Sequence, residues 1–108
     1  MPRLFAFICV LMALPSMSAF AQDGQQGRCA GILKAHGFLS RAQFQCAFGY
    51  YSNAMIDSAR ACAKNLAEAE AKQLLMQGMQ TFDLDEKERG HAALCEQVLR
   101  DFSGLVRK

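Results

Sequence analysis

Four cysteines, Cys29, Cys46, Cys62 and Cys95, and two histidines, His36 and His91, carry most of the reactive chemistry open to this 108-residue chain. A structural zinc site favours paired C-x₂-C spacings, whereas these cysteines stand singly at intervals of 17, 16 and 33 residues. A thiol oxidoreductase of the common kind carries C-x-x-C beside a strand-turn-helix, and neither is present. An even set of four is read most simply as two structural disulfides. His36, beside an expected helix end, and His91, early in the last helix, are given solvated or capping roles. Ser40, Ser52, Ser58 and Ser103 occur in no nucleophile-elbow context. Asp83, Asp85, Glu86 and Glu88 lack the loop glycine and distant glutamate of an EF-hand, and helix capping accounts for them. Met55, Met76 and Met79 offer soft sulfur for Cu(I), with Met76 and Met79 on one helix face, but core filling is the plainer role. No catalytic residue, metal site or cofactor is expected, and the chain is not expected to be an enzyme.

Two disulfides imply an oxidising compartment, and the N-terminal residues give a route to one. Arg3 supplies a positive start and Leu4 to Leu14 an apolar stretch of the length of a signal h-region, well short of the roughly 20 residues that span a bilayer. Pro15 and Ser16 break that stretch, and Ala19-Phe20-Ala21 suits signal-peptidase cleavage before Gln22. Residues 1–21 are therefore expected to be a cleaved signal peptide that takes Cys9 with it and leaves no membrane anchor. The expected destination is the bacterial periplasm or the outside of the cell.

The remainder reads as a short polar lead over residues 22–27 and one small domain over residues 28–108. The chain has 12 basic and 10 acidic side chains; Arg3 leaves with the leader, and the net charge falls to about +1. Lys and Arg are scattered among acids, without the one-sided basic stripe of a nucleic-acid binder, so nucleic acid is not an expected partner.

Both prolines, Pro2 and Pro15, belong to the leader, and the domain is rich in Ala, Leu, Gln, Lys, Glu and Met. With no strong helix breaker and no alternating β-branched runs, the expected fold is all-α, a small bundle of about four helices. A short first helix spans about residues 28–36, with Cys29, Ile32 and Leu33 on one side and Gly37 as its left-handed cap. A long second helix follows Ser40 as N-cap, its stripe being Phe44, Phe48, Tyr51, Met55, Ala59, Cys62 and Leu66, with Gly49 marking either a close crossing or a short break. The third covers about residues 67–81, turning Ala71, Leu74, Leu75, Gly78, Met79 and Phe82 inward. The fourth opens at the capping-box spacing of Asp83 to Glu86 and runs to about Val106 through Ala92, Cys95, Val98, Leu99, Phe102 and Leu105.

Helix length then constrains disulfide pairing. On an unbroken second helix Cys46 and Cys62 stand about 24 Å apart, whereas bridged Cα atoms lie within about 7 Å. A hairpin around Gly37 brings Cys29 level with Cys46, and the up-and-down path returns Cys95 to the height of Cys62. The expected bonds are Cys29 with Cys46 and Cys62 with Cys95.

Binding character concentrates in F-Q-C-A-F-G-Y-Y, where Phe44, Phe48, Tyr50 and Tyr51 are more aromatics than one inward stripe holds comfortably. Next to a disulfide they can present a rigid apolar patch. The expected function is therefore contact with another protein, as an inhibitor, assembly factor or stress-related binder. The alternative is a small-ligand or metal carrier with a site between helices lined by Phe44, Phe48, Met55, Met79, Phe82 and Phe102.

Overall fold

A computed structural model describes residues 16–108, with side chains from residue 27 onward. Among these residues the chain forms α1 (Ser16–Cys46), β1 (Tyr50–Tyr51), α2 (Asn53–Lys64), α3 (Glu68–Arg89), α4 (His91–Asp101) and β2 (Val106–Arg107). The all-α expectation holds, with four helices and two disulfides. Residues 1–15 of the expected leader lie outside the described residues. Residues 16–21 are the first turns of α1, and residues 22–27, expected as a loose lead, continue the same helix.

The order of helix lengths is the reverse of the expected one, because glycines act differently from their local appearance. α1 passes straight through Gly37 and Ser40 and ends at Cys46, where Ala47 takes a left-handed φ of 55°. The Phe48 N–H closes this end on the Gln43 carbonyl at 3.0 Å, the six-to-one bond of a Schellman cap. Alanine at this position costs on the order of 1 kcal/mol that glycine would not. The supposed long second helix is thus broken after Cys46, and α2 begins only at Asn53, capped by the buried Ser52, whose hydroxyl accepts from the Met55 N–H at 3.3 Å. Asp83 to Glu86 lie inside α3, which runs on to Gly90 with φ 90° and ψ 153°, a backbone conformation only glycine adopts readily. Glu68 and Glu70 in its first turn and Lys87 and Arg89 in its last complement the helix dipole.

α1 is the central rod. α2 runs antiparallel to it, as Cys29 meets Cys62 and His36 meets Tyr51. α3 crosses it in parallel, with Gly37 against Leu75, Phe38 against Phe82 and Arg41 bonded to Asp83 at 3.0 Å. α4 returns antiparallel, bringing Cys95 to Cys46 and Phe102 to Phe38. The expected up-and-down path is therefore present, entered by different helices. β2 pairs antiparallel with β1, Tyr50 opposite Arg107 and Tyr51 opposite Val106, so the chain end closes over the break after α1.

Buried side chains form two clusters. The larger joins Leu39, Ala42, Phe48, Tyr51, Phe82, Leu94, Val98 and Val106; the smaller joins Leu33, Ala59, Cys62 and Ala71. Periodicity correctly turns Phe48, Tyr51, Ala59, Cys62, Ala71, Phe82 and Val98 inward. Phe44, Met79 and Ala92, expected inside, are exposed, while Leu39, placed in a supposed turn, is fully buried.

The disulfides are Cys29–Cys62, with Cα atoms 5.1 Å apart, and Cys46–Cys95, with Cα atoms 5.7 Å apart. Both expected pairings are corrected. Cys29 and Cys46 stand on the same unbroken α1, about 25 Å apart along its axis, too far for a bond between them.

Candidate functional site

The residues singled out for binding separate. Phe48 and Tyr51 are buried in the larger cluster, while Phe44 stands 78% exposed and Tyr50 37% exposed. The Arg107 guanidinium lies 4.0 Å from the centre of the Tyr50 ring, a cation–π contact across the β1–β2 pair. The four aromatics form no common patch. Nor does the expected carrier lining converge, since Phe48 and Phe82 fill the core and Phe44 and Met79 face outward.

A concave site exists elsewhere, between α1, α3 and α4. Gly78 lets α3 settle onto the α1 backbone at Lys34 and Phe38. Beside that contact, between α1, α3 and α4, lies a groove of about 360 Å³. Phe38, Leu94, Val98 and Phe102 give it an apolar floor and wall. Lys34 stands on the α1 rim, with Asp85 of α3 and Asp101 at the end of α4 on the others. Asp101 accepts from the Gln97 amide at 3.4 Å, and neither aspartate has an ion-pair partner among the described residues. The groove can hold two or three apolar side chains beside a positive group. Of its lining, sequence reasoning placed only Phe102 in a ligand site, and it assigned Phe38 to a turn. The available signal was a Phe38 stripe continuing Leu33 through an unbroken α1, hidden by reading Gly37 as a cap.

The two histidines have specific partners. His36 Nδ1 lies 2.6 Å from the Tyr51 hydroxyl and 3.4 Å from Ser40 Oγ, and the His36 and Tyr51 rings stack with centroids 5.6 Å apart. Burial holds the imidazole below its usual range and pushes the Tyr51 phenol up to about 12, a hydrogen bond from Ser40 opposing the latter shift. Tyr51 therefore donates to a neutral His36, tying β1 to α1. In this half-buried cluster the side chains satisfy one another and fix β1 against α1.

Its pH consequence follows from the depressed imidazole. The neutral form is favoured by the fold, so this contribution is complete above the unfolded value of 6.5 and is lost as pH falls through the lower folded value. Urea midpoints should decline from about pH 7.5 to about pH 5, and His36→Gln should flatten that decline. An equally steep decline in the variant would remove His36 from the explanation. The raised phenol acts at the other end, its contribution being retained below pH 10 and lost as pH rises toward about 12.

His91 sits at the start of α4 with Nδ1 2.7 Å from Glu86 Oε2 and Nε2 3.8 Å from Cys95 Sγ. Among the described residues no group of three or more His, Cys, Asp or Glu side chains is arranged to hold a metal ion, and no helix is long and apolar enough to cross a membrane. Comparison with protein-family models, curated proteins and solved structures gives no match to this chain.

Proposed function

We propose that this chain is an exported, disulfide-stapled binding protein. In this reading it acts by contact with another protein in the bacterial periplasm or outside the cell, receiving an apolar segment of that partner in the groove between α1, α3 and α4. The observation that carries the reading is the groove itself, an apolar trough between Lys34 and the pair Asp85 and Asp101. Two intramolecular disulfides are consistent with an oxidising compartment, and the leader-like residues 1–21 support export. Charge complementarity defines the occupant as an amphipathic segment with an apolar ridge and a basic residue directed at the two aspartates.

The test is affinity capture from native envelope extract, followed by titration of the purified partner against wild type and Asp85→Lys/Asp101→Lys. Charge reversal should weaken binding by about tenfold or more. Tyr50→Ala should leave it unchanged, because Tyr50 lies outside the groove lining. Equal affinity of wild type and the charge-reversed protein would remove the groove from the reading; loss with Tyr50→Ala alone would move the contact to the exposed aromatics. The groove also keeps the small-ligand carrier open as a second reading. That reading requires native mass spectrometry to find a bound molecule that Gln97→Trp displaces.

A further inference from the structure

The two disulfides occupy different chemical surroundings. Cys62 is buried among Leu33, Ala59 and Ala71, with Ile32, Leu66 and its half-buried partner Cys29 packed against them and no titratable side chain hydrogen-bonded to either sulfur among the described residues. Cys95 instead has an imidazole beside its sulfur, held there by a carboxylate. His91 precedes Cys95 by one helical turn, which lays the ring along the sulfur at 3.8 Å. Glu86 reaches His91 from the last turn of α3 across the Gly90 corner, accepting from Nδ1–H at 2.7 Å. That bond turns Nε2 to the sulfur, so protonated His91 offers Cys95 its second N–H. The His91 side chain is 56% exposed, and Cys46 and Cys95 are each half-buried at the edge of the larger cluster.

We propose that Cys46–Cys95 is an exchange-active disulfide whose substrates are thiols, with His91 as the acid for the departing Cys95 sulfur and Glu86 as its positioning residue. A thiolate attacks Cys46 Sγ; the new S–S bond forms as the Cys46–Cys95 bond breaks, and the electron pair leaves on Cys95, which takes the Nε2 proton. A second thiolate attacks the incoming sulfur of the mixed disulfide, releasing the oxidised thiol pair and the Cys46 thiolate. Two thiols are oxidised and one protein disulfide is reduced, with no other reactant. Stabilising Cys95 as leaving group directs attack to Cys46. Glu86 is the charged group that meets His91 from α3. Arg89, also on α3, is engaged with Gln97, and α1 contributes Cys46 with no ionic contact to His91 among the described residues.

The experiment exposes the oxidised full chain to dithiothreitol at neutral pH, quenches by alkylation and resolves the cysteine peptides by mass. Cys46–Cys95 should open about tenfold or more before Cys29–Cys62. His91→Ala uncovers the sulfur, so exposure alone makes opening faster, whereas loss of the acid makes it about tenfold slower. The pH profile of Cys95 alkylation, in Cys46→Ser or in the reduced wild type if that variant does not fold, should have its midpoint below the ordinary thiol value of about 8.5. His91→Ala and Glu86→Gln should each raise that midpoint. Simultaneous opening of both disulfides, a His91→Ala protein that opens as fast as wild type or faster, or an ordinary midpoint would each overturn the proposal.

Discussion

Gly78→Ala is expected to destabilise the protein by about 3 kcal/mol, although alanine is the better helix former by about 1 kcal/mol. A Cβ at Gly78 would press on the Lys34 carbonyl oxygen and stand 2.8 Å from the Phe38 nitrogen and 2.9 Å from the Lys34 carbonyl carbon. These are backbone atoms of a continuous helix, so no side chain can swing aside to make room. The partner glycine repeats the constraint from the other helix, as a Cβ at Gly37 would press on the Leu75 carbonyl group. Relief therefore requires α1 and α3 to move apart, loosening Phe38 from Phe82, the latter fully buried. Gly31→Ala is the control. It lies on α1, as Gly37 does, with nothing within contact distance of an added Cβ, and should be neutral or stabilising by up to about 1 kcal/mol. Urea denaturation of both variants decides the matter, and equal midpoints would show that the crossing tolerates a methyl group.

The same glycines explain what could be read from the chain. Helical composition, absent prolines and apolar stripes made the fold class legible, because they are local and act the same way in any packing. Gly37, Gly78 and Gly90 are alike in sequence but do different things. Gly37 and Gly78 permit close helix contact, while Gly90 supplies a positive φ that ends α3. Whether a glycine stops a helix or lets another one touch it is decided by a distant segment. Reading Gly37 as a stop shortened α1, moved Leu39 out of the core and placed Cys29 opposite Cys46. The Asp83 to Glu86 run misled in the same way: its spacing fits a cap, yet Asp83 is used across the crossing, by Arg41. The sequence offers a close crossing or a short break at Gly49, but α1 closes on Ala47, a residue type that carries no turn signal.

The groove was illegible for a related reason. Its floor draws Phe38 from α1 and Leu94, Val98 and Phe102 from α4 and the residue that ends it, so it exists only once α1 continues past Gly37. The aromatic run that looked most like a binding surface was partly spent on the core. Phe48 and Tyr51 follow the inward stripe, and His36, taken for a solvated residue, receives the Tyr51 hydroxyl. The one-turn spacing of His91 and Cys95 is legible in the sequence, but the Glu86 that orients the imidazole is hidden by its reading as a cap.

Removing the Cys29–Cys62 bond, as Cys29→Ser/Cys62→Ser, is expected to cost about 4 kcal/mol on the loop-closure estimate for a separation of 33 residues. For a domain of this size that corresponds to a fall in Tm of about 15–30 °C. The loss should be uneven. α2 is held to α1 at its far end by the smaller cluster, in which Leu33 is the one large buried side chain beside Ala59, Cys62 and Ala71. Such a cluster offers little apolar area to replace a lost covalent tie. At the near end, Ser52 caps α2 and Tyr51 is anchored by β2 and His36, so the start of α2 keeps its attachment. Hydrogen exchange should therefore accelerate first in the last turns of α2, around Cys62 to Lys64, while Leu94 and Val98 in α4 remain protected by the larger cluster. Non-reducing peptide mapping of the wild type comes before this measurement, because a Cys29–Cys46 link would contradict the continuous α1 from which the prediction is drawn. If α2 and α4 instead lose protection together in the variant, the two clusters unfold as one cooperative unit, and the covalent tie stabilises the whole bundle rather than its α2 end.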